Sequence, residues 1–110
     1  MLKLNVIEES PHTFLEVRGE IDASNSVLLD EAISALVKKG AKSVLVDCTE
    51  LDYISSAGLG VFMSYLEDFA ENNISMKIFG LAPKVLEVFR ILGLDQLITI
   101  SSDKASAIAS

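Results

Sequence analysis

The chain has 110 residues, half of them hydrophobic, and a mean hydropathy of +0.42. That length fits one domain with one core, and the apolar supply is large enough to need no disulfide or metal staple. Nine basic residues face sixteen acidic ones, and the formal charge of −7 repels nucleic acid.

The N-terminus, Met1-Leu-Lys-Leu-Asn-Val-Ile, carries one lysine and then reaches Glu8 and Glu9. It lacks the long apolar region and small-residue cleavage site of a signal peptide. No apolar run approaches the ~20 residues of a membrane span, so a cytoplasmic protein is expected. Residues 2–8 and 12–18, separated by Ser10-Pro11-His12, read as an antiparallel hairpin. Gly19-Glu20-Ile21-Asp22 is expected to turn the chain into a helix from about Ser24 to Lys39. Leu28, Leu29, Ala32, Ile33, Leu36 and Val37 recur there at helical spacing, and Gly40 is a stop signal. The basic pair Lys38-Lys39, with Lys42 nearby, is a solvated helix end that suits the helix dipole.

Val44-Leu45-Val46 is a continuous apolar run ending at Asp47, as in a parallel strand buried on both faces. Residues 47–58 are expected to form a loop. A second helix follows from about Ser56 to Asn72, with a stripe of Leu59, Phe62, Met63, Leu66, Phe69 and Ala70. Residues 75–79 read as a strand ended by Gly80. Pro83 sits at the first turn of a third helix with Val85, Val88, Phe89 and Leu92, and Gly93 stops it. Residues 97–100 read as a last short strand, and Asp103 is a cap for a short terminal helix that includes Ile108. Strands alternating with helices predict a single α/β domain over residues 1–110. Its sheet is mixed but mostly parallel, with about five strands covered by about four helices. Ligands and partners of such sheets meet the carboxyl ends of the strands. That directs attention to residues 19–25 and 47–60.

No catalytic constellation is visible. His12, the only histidine, belongs to the first hairpin turn, and no Gly-x-Ser-x-Gly elbow occurs. Gly58-Leu59-Gly60 lacks the third glycine of a dinucleotide fingerprint and the Gly-Lys-Ser/Thr of a phosphate loop. One cysteine and one histidine do not make a zinc site of the usual type, and Cys48 alone excludes an internal disulfide. Asp47, Glu50 and Asp52 are hard-cation ligands by type, but they read as solvated carboxylates that cap turns. Cys48 has no cationic neighbour in sequence to lower its pKa and reads as a small core filler.

The informative stretch runs from Val46 to Gly60. Ser55 is a good helix N-cap by type. With Ser55 as the cap, Ile54 and Leu59 stand where a hydrophobic staple places its two residues. Ser56 is then the first helical residue, with no capping duty. A phosphate there would meet free amides and the positive end of the helix dipole. It would add about two negative charges at one surface point without unfolding the domain. Gly58 and Gly60 each cost ~1 kcal/mol relative to alanine inside a helix. Close packing on the sheet and close approach of a partner both explain them.

This stretch resembles the signature of the STAS family, and in particular of its anti-sigma factor antagonists. There an apolar strand ending in Asp leads through a short loop with an aromatic or apolar pair into Asp-Ser-Ser/Thr-Gly-Leu. Gly19-Glu20-Ile21-Asp22 resembles the loop these proteins carry after their second strand, and the order of elements matches over essentially the whole chain. The resemblance implies that Ser56 accepts phosphate. Asp47 matches a strand-end aspartate beside that serine, and Asp22 an acidic position on the partner-binding face. It implies a partner surface of Asp22, Ser24, Asp47, Tyr53, Ser55, Ser56, Gly58, Leu59 and Gly60. The chain departs from the pattern at Ser55, where many members have Asp, and at Ala57, which replaces Ser or Thr.

The partners implied are an anti-sigma factor of serine-kinase type, bound by the unphosphorylated chain, and a serine phosphatase that resets the switch. Neither nucleic acid nor membrane is implied. The chain itself takes no cofactor and no metal; ATP and magnesium belong to the kinase. Two other binding roles fit the same residues. One is a module of another signalling assembly, stressosome-like or linked to a response regulator. The other is a nucleotide or small-ligand binder using the glycines and the helix start. A small enzyme using the loop carboxylates is the alternative of a different class.

Overall fold

A computed structural model describes residues 1–110. Two strands, β1 (Leu2–Glu9) and β2 (His12–Ile21), form the antiparallel hairpin, in unbroken register from Leu2 opposite Gly19 to Glu9 opposite His12. Helix α1 (Ser26–Lys38) crosses to β3 (Ser43–Ile54), and α2 (Ser56–Glu71) crosses to β4 (Ser75–Phe79). Helix α3 (Pro83–Ile91) and a 3-10 turn at Leu94–Gln96 lead to β5 (Thr99–Ser101), and α4 (Lys104–Ala109) closes the chain. The five strands lie side by side in sequence order, and every pairing after the first is parallel. This is the expected mixed sheet with four helices.

A core of 21 buried residues fills the space between one sheet face and α1, α2 and α3. Leu29, Ile33 and Leu36 come from α1; Leu59, Phe62 and Phe69 from α2; Val85 and Phe89 from α3. The opposite face holds a small cluster of Phe14, Leu45 and Phe79 against Ala107 of α4. Val44, Leu45 and Val46 are therefore buried on both faces, as a continuous apolar run requires. Asp103 caps α4 by accepting a hydrogen bond from the Ser106 amide at 2.8 Å. No helix is long and apolar enough to cross a membrane.

The structure corrects the expected elements in three places. Strand β2 continues through Gly19 and Glu20 to Ile21, so the chain turns at Asp22–Asn25. Strand β3 does not stop at Asp47 but runs to Ile54, so most of the expected 47–58 loop is strand. Its second half pairs with β2 alone, because β4 ends opposite Asp47 at Phe79. Two bulges hide it from the sequence. Cys48 and Thr49 stand where β2 offers only Val17, and Asp52 has no opposite number between Gly19 and Glu20. Each bulge adds a residue and turns the following side chains over. Cys48, Leu51 and Ile54 are buried at intervals of three rather than the two of a regular strand. The third correction concerns helix faces: Leu28, Met63, Ala70 and Leu92 lie outside the core, because the sheet covers only the centre of each apolar stripe.

Phe62 is fully buried, whereas its neighbour Met63 is 50% exposed. Phe62→Ala is expected to lower unfolding stability by about 3–5 kcal/mol through the cavity it leaves. Met63→Ala is expected to stay within about 1 kcal/mol of the parent protein. Chemical denaturation of the two variants side by side checks this placement of the core.

Candidate functional site

The ends of β2 and β3 and the start of α2 meet at one point. The Ser55 amide donates to the Ile21 carbonyl at 2.8 Å, tying the last residue of β2 to the helix cap. Ser55 has extended backbone, and its Oγ accepts from the Gly58 amide at 3.2 Å. It is the N-cap, as its residue type indicated. Ile54 before it and Leu59 after it both belong to the core, in the positions of a hydrophobic staple. Ser56 opens α2 and is exposed. The capping work falls to its neighbour, and its own side chain faces solvent among the free amides of the first turn.

The two glycines separate. A Cβ on Gly58 would lie 2.6 Å from Ile21 Cγ2 and 2.8 Å from Ile54 Cγ1, both on buried, β-branched side chains with little freedom to move. Gly58 is therefore a packing glycine. A Cβ on Gly60 would meet nothing within 4 Å, and the residue is exposed. Its missing side chain leaves open space on the Ser56 face of the helix, since residues four apart share a face.

The Asp22 turn lies at the other side of the Ile21–Ser55 bond. The Asp22 carboxylate accepts from the Ser24 hydroxyl at 2.6 Å, the Ser24 amide at 2.9 Å and the Asn25 amide at 3.0 Å. The Ser24 hydroxyl first, with the two amides behind it, holds this carboxyl below the usual range. Asp22 thus presents a fixed negative charge. Asn25 completes the turn, accepting from the Asp22 amide at 2.9 Å and donating to the Glu20 carbonyl at 3.0 Å. The Ser24 hydroxyl donates within this turn.

The expected site residues thus divide. Asp22, Ser24, Tyr53, Ser55, Ser56 and Gly60 gather around the ends of β2 and β3. Gly58 and Leu59 are buried, so they seat the helix and offer no partner surface. Asp47 is displaced: it sits opposite Glu16 and Phe79, and its carboxylate accepts from the Thr49 amide at 3.0 Å and the Thr49 hydroxyl at 2.8 Å. The stretch of strand up to Ile54 separates it from Ser56 by on the order of 20 Å. It is not beside the serine, because β3 continues past it. Asp47, Glu50 and Asp52 do not converge either, and no three acidic, histidine or cysteine side chains are placed to hold a metal ion. Glu50 pairs with Arg18 at 3.2 Å. His12 lies at the start of β2, against the Ser43 hydroxyl at 2.8 Å, and Cys48 is fully buried, which pushes its thiol pKa up.

Some surface features were not singled out from the sequence. Val27 and Leu28 in the first turn of α1, and Met63 on the Ser56–Gly60 face of α2, are large apolar side chains left in solvent. Helical spacing assigns Leu28 and Met63 to the core, and Val27 lies outside the expected stripe. Tyr53, half exposed, borders a cavity of about 290 Å³ that also meets Glu20, Asp52, Ile54, Lys84 and Val88. Lys84 had no signal in the sequence, since a lone lysine after a helix-starting proline is common.

Substitutions at the helix start separate packing from surface. Gly58→Ala is expected to destabilise by roughly 1–3 kcal/mol, the range for overfilling a packed site. Gly60→Ala is expected to stabilise by up to ~1 kcal/mol, the helix-propensity gain where nothing is displaced. Ser55→Ala is expected to cost ~1 kcal/mol through the lost cap. Urea unfolding of the three variants tests the assignment.

Comparison with known proteins agrees with this geometry. The STAS domain model matches residues 3–107. The anti-sigma-B factor antagonist of Listeria monocytogenes is 31% identical over 94 residues, covering 86% of this chain and 82% of that protein. Among solved structures, an anti-sigma factor antagonist from Mycobacterium paratuberculosis superposes with a TM-score of 0.90 at 19% identity, over 99% of this chain and 92% of that one. The phosphorylated form of SpoIIAA from Bacillus superposes with a TM-score of 0.72 at 17% identity, over 99% and 97%. A STAS domain model matched almost end to end, with a relative 31% identical over most of both chains, makes this chain a member of the STAS domain family.

Proposed function

We propose that the chain is an anti-sigma factor antagonist that acts by binding, and that a phosphate on Ser56 ends the complex. The observation that carries this reading is the division of labour at the start of α2. Ser55 caps, Gly58 and Leu59 pack, and Ser56 is exposed with no structural task. A hydroxyl so placed accepts a phosphoryl group without disturbing the fold, and the helix N-terminus stabilises the added charge. The related Bacillus protein, solved in a phosphorylated form, has the same fold.

In the unmodified state the exposed surface around Ser56 offers Gly60 and Met63 on the same face of α2, with the fixed Asp22 carboxylate at its margin. Small and apolar groups suit a close protein contact, and the acidic rim suits a basic partner. The partner is an anti-sigma factor of serine-kinase type, which supplies ATP and magnesium; a serine phosphatase removes the phosphate. Phosphorylation places about two negative charges and the bulk of the phosphate in the middle of the contact, where steric blockage and the cost of desolvating the charge work against docking. A second reading, a nucleotide or other small ligand held near Tyr53 and Lys84, is favoured by the cavity there. Calorimetry with ATP and GTP separates the two.

The decisive test recovers the bound protein from cell extract before and after phosphatase treatment, then uses that kinase with magnesium-ATP. Mass spectrometry is expected to find phosphate on Ser56. Ser56→Ala is expected to abolish incorporation, and Ser55→Ala to retain it. The phosphorylated chain is expected to keep its circular dichroism spectrum and to bind its partner at least about tenfold more weakly, since burying an unpaired charge at the contact costs several kcal/mol. Phosphate on Ser55, or unchanged affinity after phosphorylation of Ser56, would overturn the switch.

A further inference from the structure

We propose that the free edge of β1 pairs antiparallel with β1 of a second copy, joining two sheets into one of about ten strands. Strand β1 has a neighbour on one side only. Its eight residues contain no proline and no bulge. Those are two of the devices by which proteins blunt such an edge. Val6 and Ile7 in its middle are exposed apolar side chains.

The direction of the open hydrogen-bonding groups follows from one contact. The Met1 carbonyl accepts from the Glu20 amide at 3.3 Å, continuing the ladder beyond Leu2. Residues of an antiparallel strand alternate between bonding to a neighbour and facing away from it. Lys3, Asn5, Ile7 and Glu9 therefore bond to β2, while the N–H and C=O of Val6 point outward.

Charge selects the partner and its orientation. The charged residues of β1 are Lys3 near one end and Glu8 and Glu9 at the other. A parallel copy would set lysine beside lysine and glutamate beside glutamate, which is unfavourable across strands. An antiparallel copy sets Lys3 opposite Glu9, whose carboxylate also holds Lys104 of its own chain at 3.2 Å, at both ends, with Val6 opposite Val6 on the two-fold axis. This register keeps side chains of both copies on matching faces, as an axis perpendicular to the sheet demands. The two Ser56 surfaces then face opposite ends of the joined sheet. The net charge of −7 on each copy opposes the contact, so association is of modest strength.

Sedimentation equilibrium over a concentration series, up to about 1 mM to reach weak association, tests this. A reversible dimer is expected for the parent chain. Val6→Pro removes an outward N–H and leaves the β2 ladder intact, as proline on an edge strand does. It is expected to weaken the dimer at least tenfold with an unchanged circular dichroism spectrum. Lys3→Glu and Glu9→Lys are each expected to be monomeric alone and to form a heterodimer when mixed, because the swap restores opposite charges. This mixing readout decides the matter even if Val6→Pro disturbs the fold. A parent chain that is monomeric throughout, or a dimer that survives both charge variants, would overturn the proposal.

Discussion

The parallel pairing of β2 with the second half of β3 is the constraint on which the rest of the molecule depends. Beyond Phe79 no third strand supports β3, and it continues only because β2 runs beside it to Ile21. The two bulges lengthen β3 relative to its partner and bring Leu51 and Ile54 onto the core face together. With both strands ending at the same level, the Ser55 amide reaches the Ile21 carbonyl, and α2 starts at a fixed point above the sheet. A shorter β3 would leave the helix start on a loop. A regular β3 without bulges would turn Leu51 away from the core and carry Ile54 two residues past the end of β2, since one extra residue reverses the faces and two restore them. Gly58 then allows the first turn of α2 to sit directly on Ile21 and Ile54. The placement of one exposed serine thus rests on strand pairing several residues upstream.

Much of this was legible in the sequence where local chemistry decides structure. Ser55 as cap, Ser56 as first helical residue, Pro83 at a helix start and Asp103 as the last cap are all set within a few residues, and the structure has them there. Strand β4 falls on residues 75–79, as its short apolar run bounded by Asn73 and Gly80 indicated. What stayed hidden was what another strand decides. Cys48, Leu51 and Ile54 recur every third residue, a spacing that belongs to no regular strand, so the extension of β3 looked like loop. The resemblance that sets Asp47 beside the serine assumes a strand end there, and β3 runs on to Ile54. The 3-10 turn at Leu94–Gln96 follows Gly93 at φ +74°, and Leu94 is fully buried. Its burial depends on packing beneath α3 that no local pattern records.

The exposed apolar residues show a second limit of the same kind. Periodicity reports which side chains share a helix face but not how much of that face a sheet will cover. Leu28 and Met63 fit the stripes of α1 and α2 and are left in solvent. A sequence reading that assigns every apolar residue to the core therefore removes such exposed residues from view. The two glycines carried a related ambiguity. Identical in propensity and two positions apart, they differ only in what lies above them: two isoleucines for Gly58, open space for Gly60.

Separating structural from exposed positions within one helical turn has a consequence for regulation. A modification that also disturbed a cap or a core contact would couple signalling to unfolding, and a domain stabilised by 5–15 kcal/mol has little reserve for that. Here the cap is Ser55, the staple is Ile54 and Leu59, and the close contact is Gly58, so each fold-determining task near the strand ends belongs to a residue other than Ser56. The charge of a phosphate would be met by the helix N-terminus, while its bulk would stand in the space left by Gly60. A phosphate at this position would therefore alter the exposed surface and leave the supporting strands as they are. That is the physical requirement for a reversible switch on so small a domain.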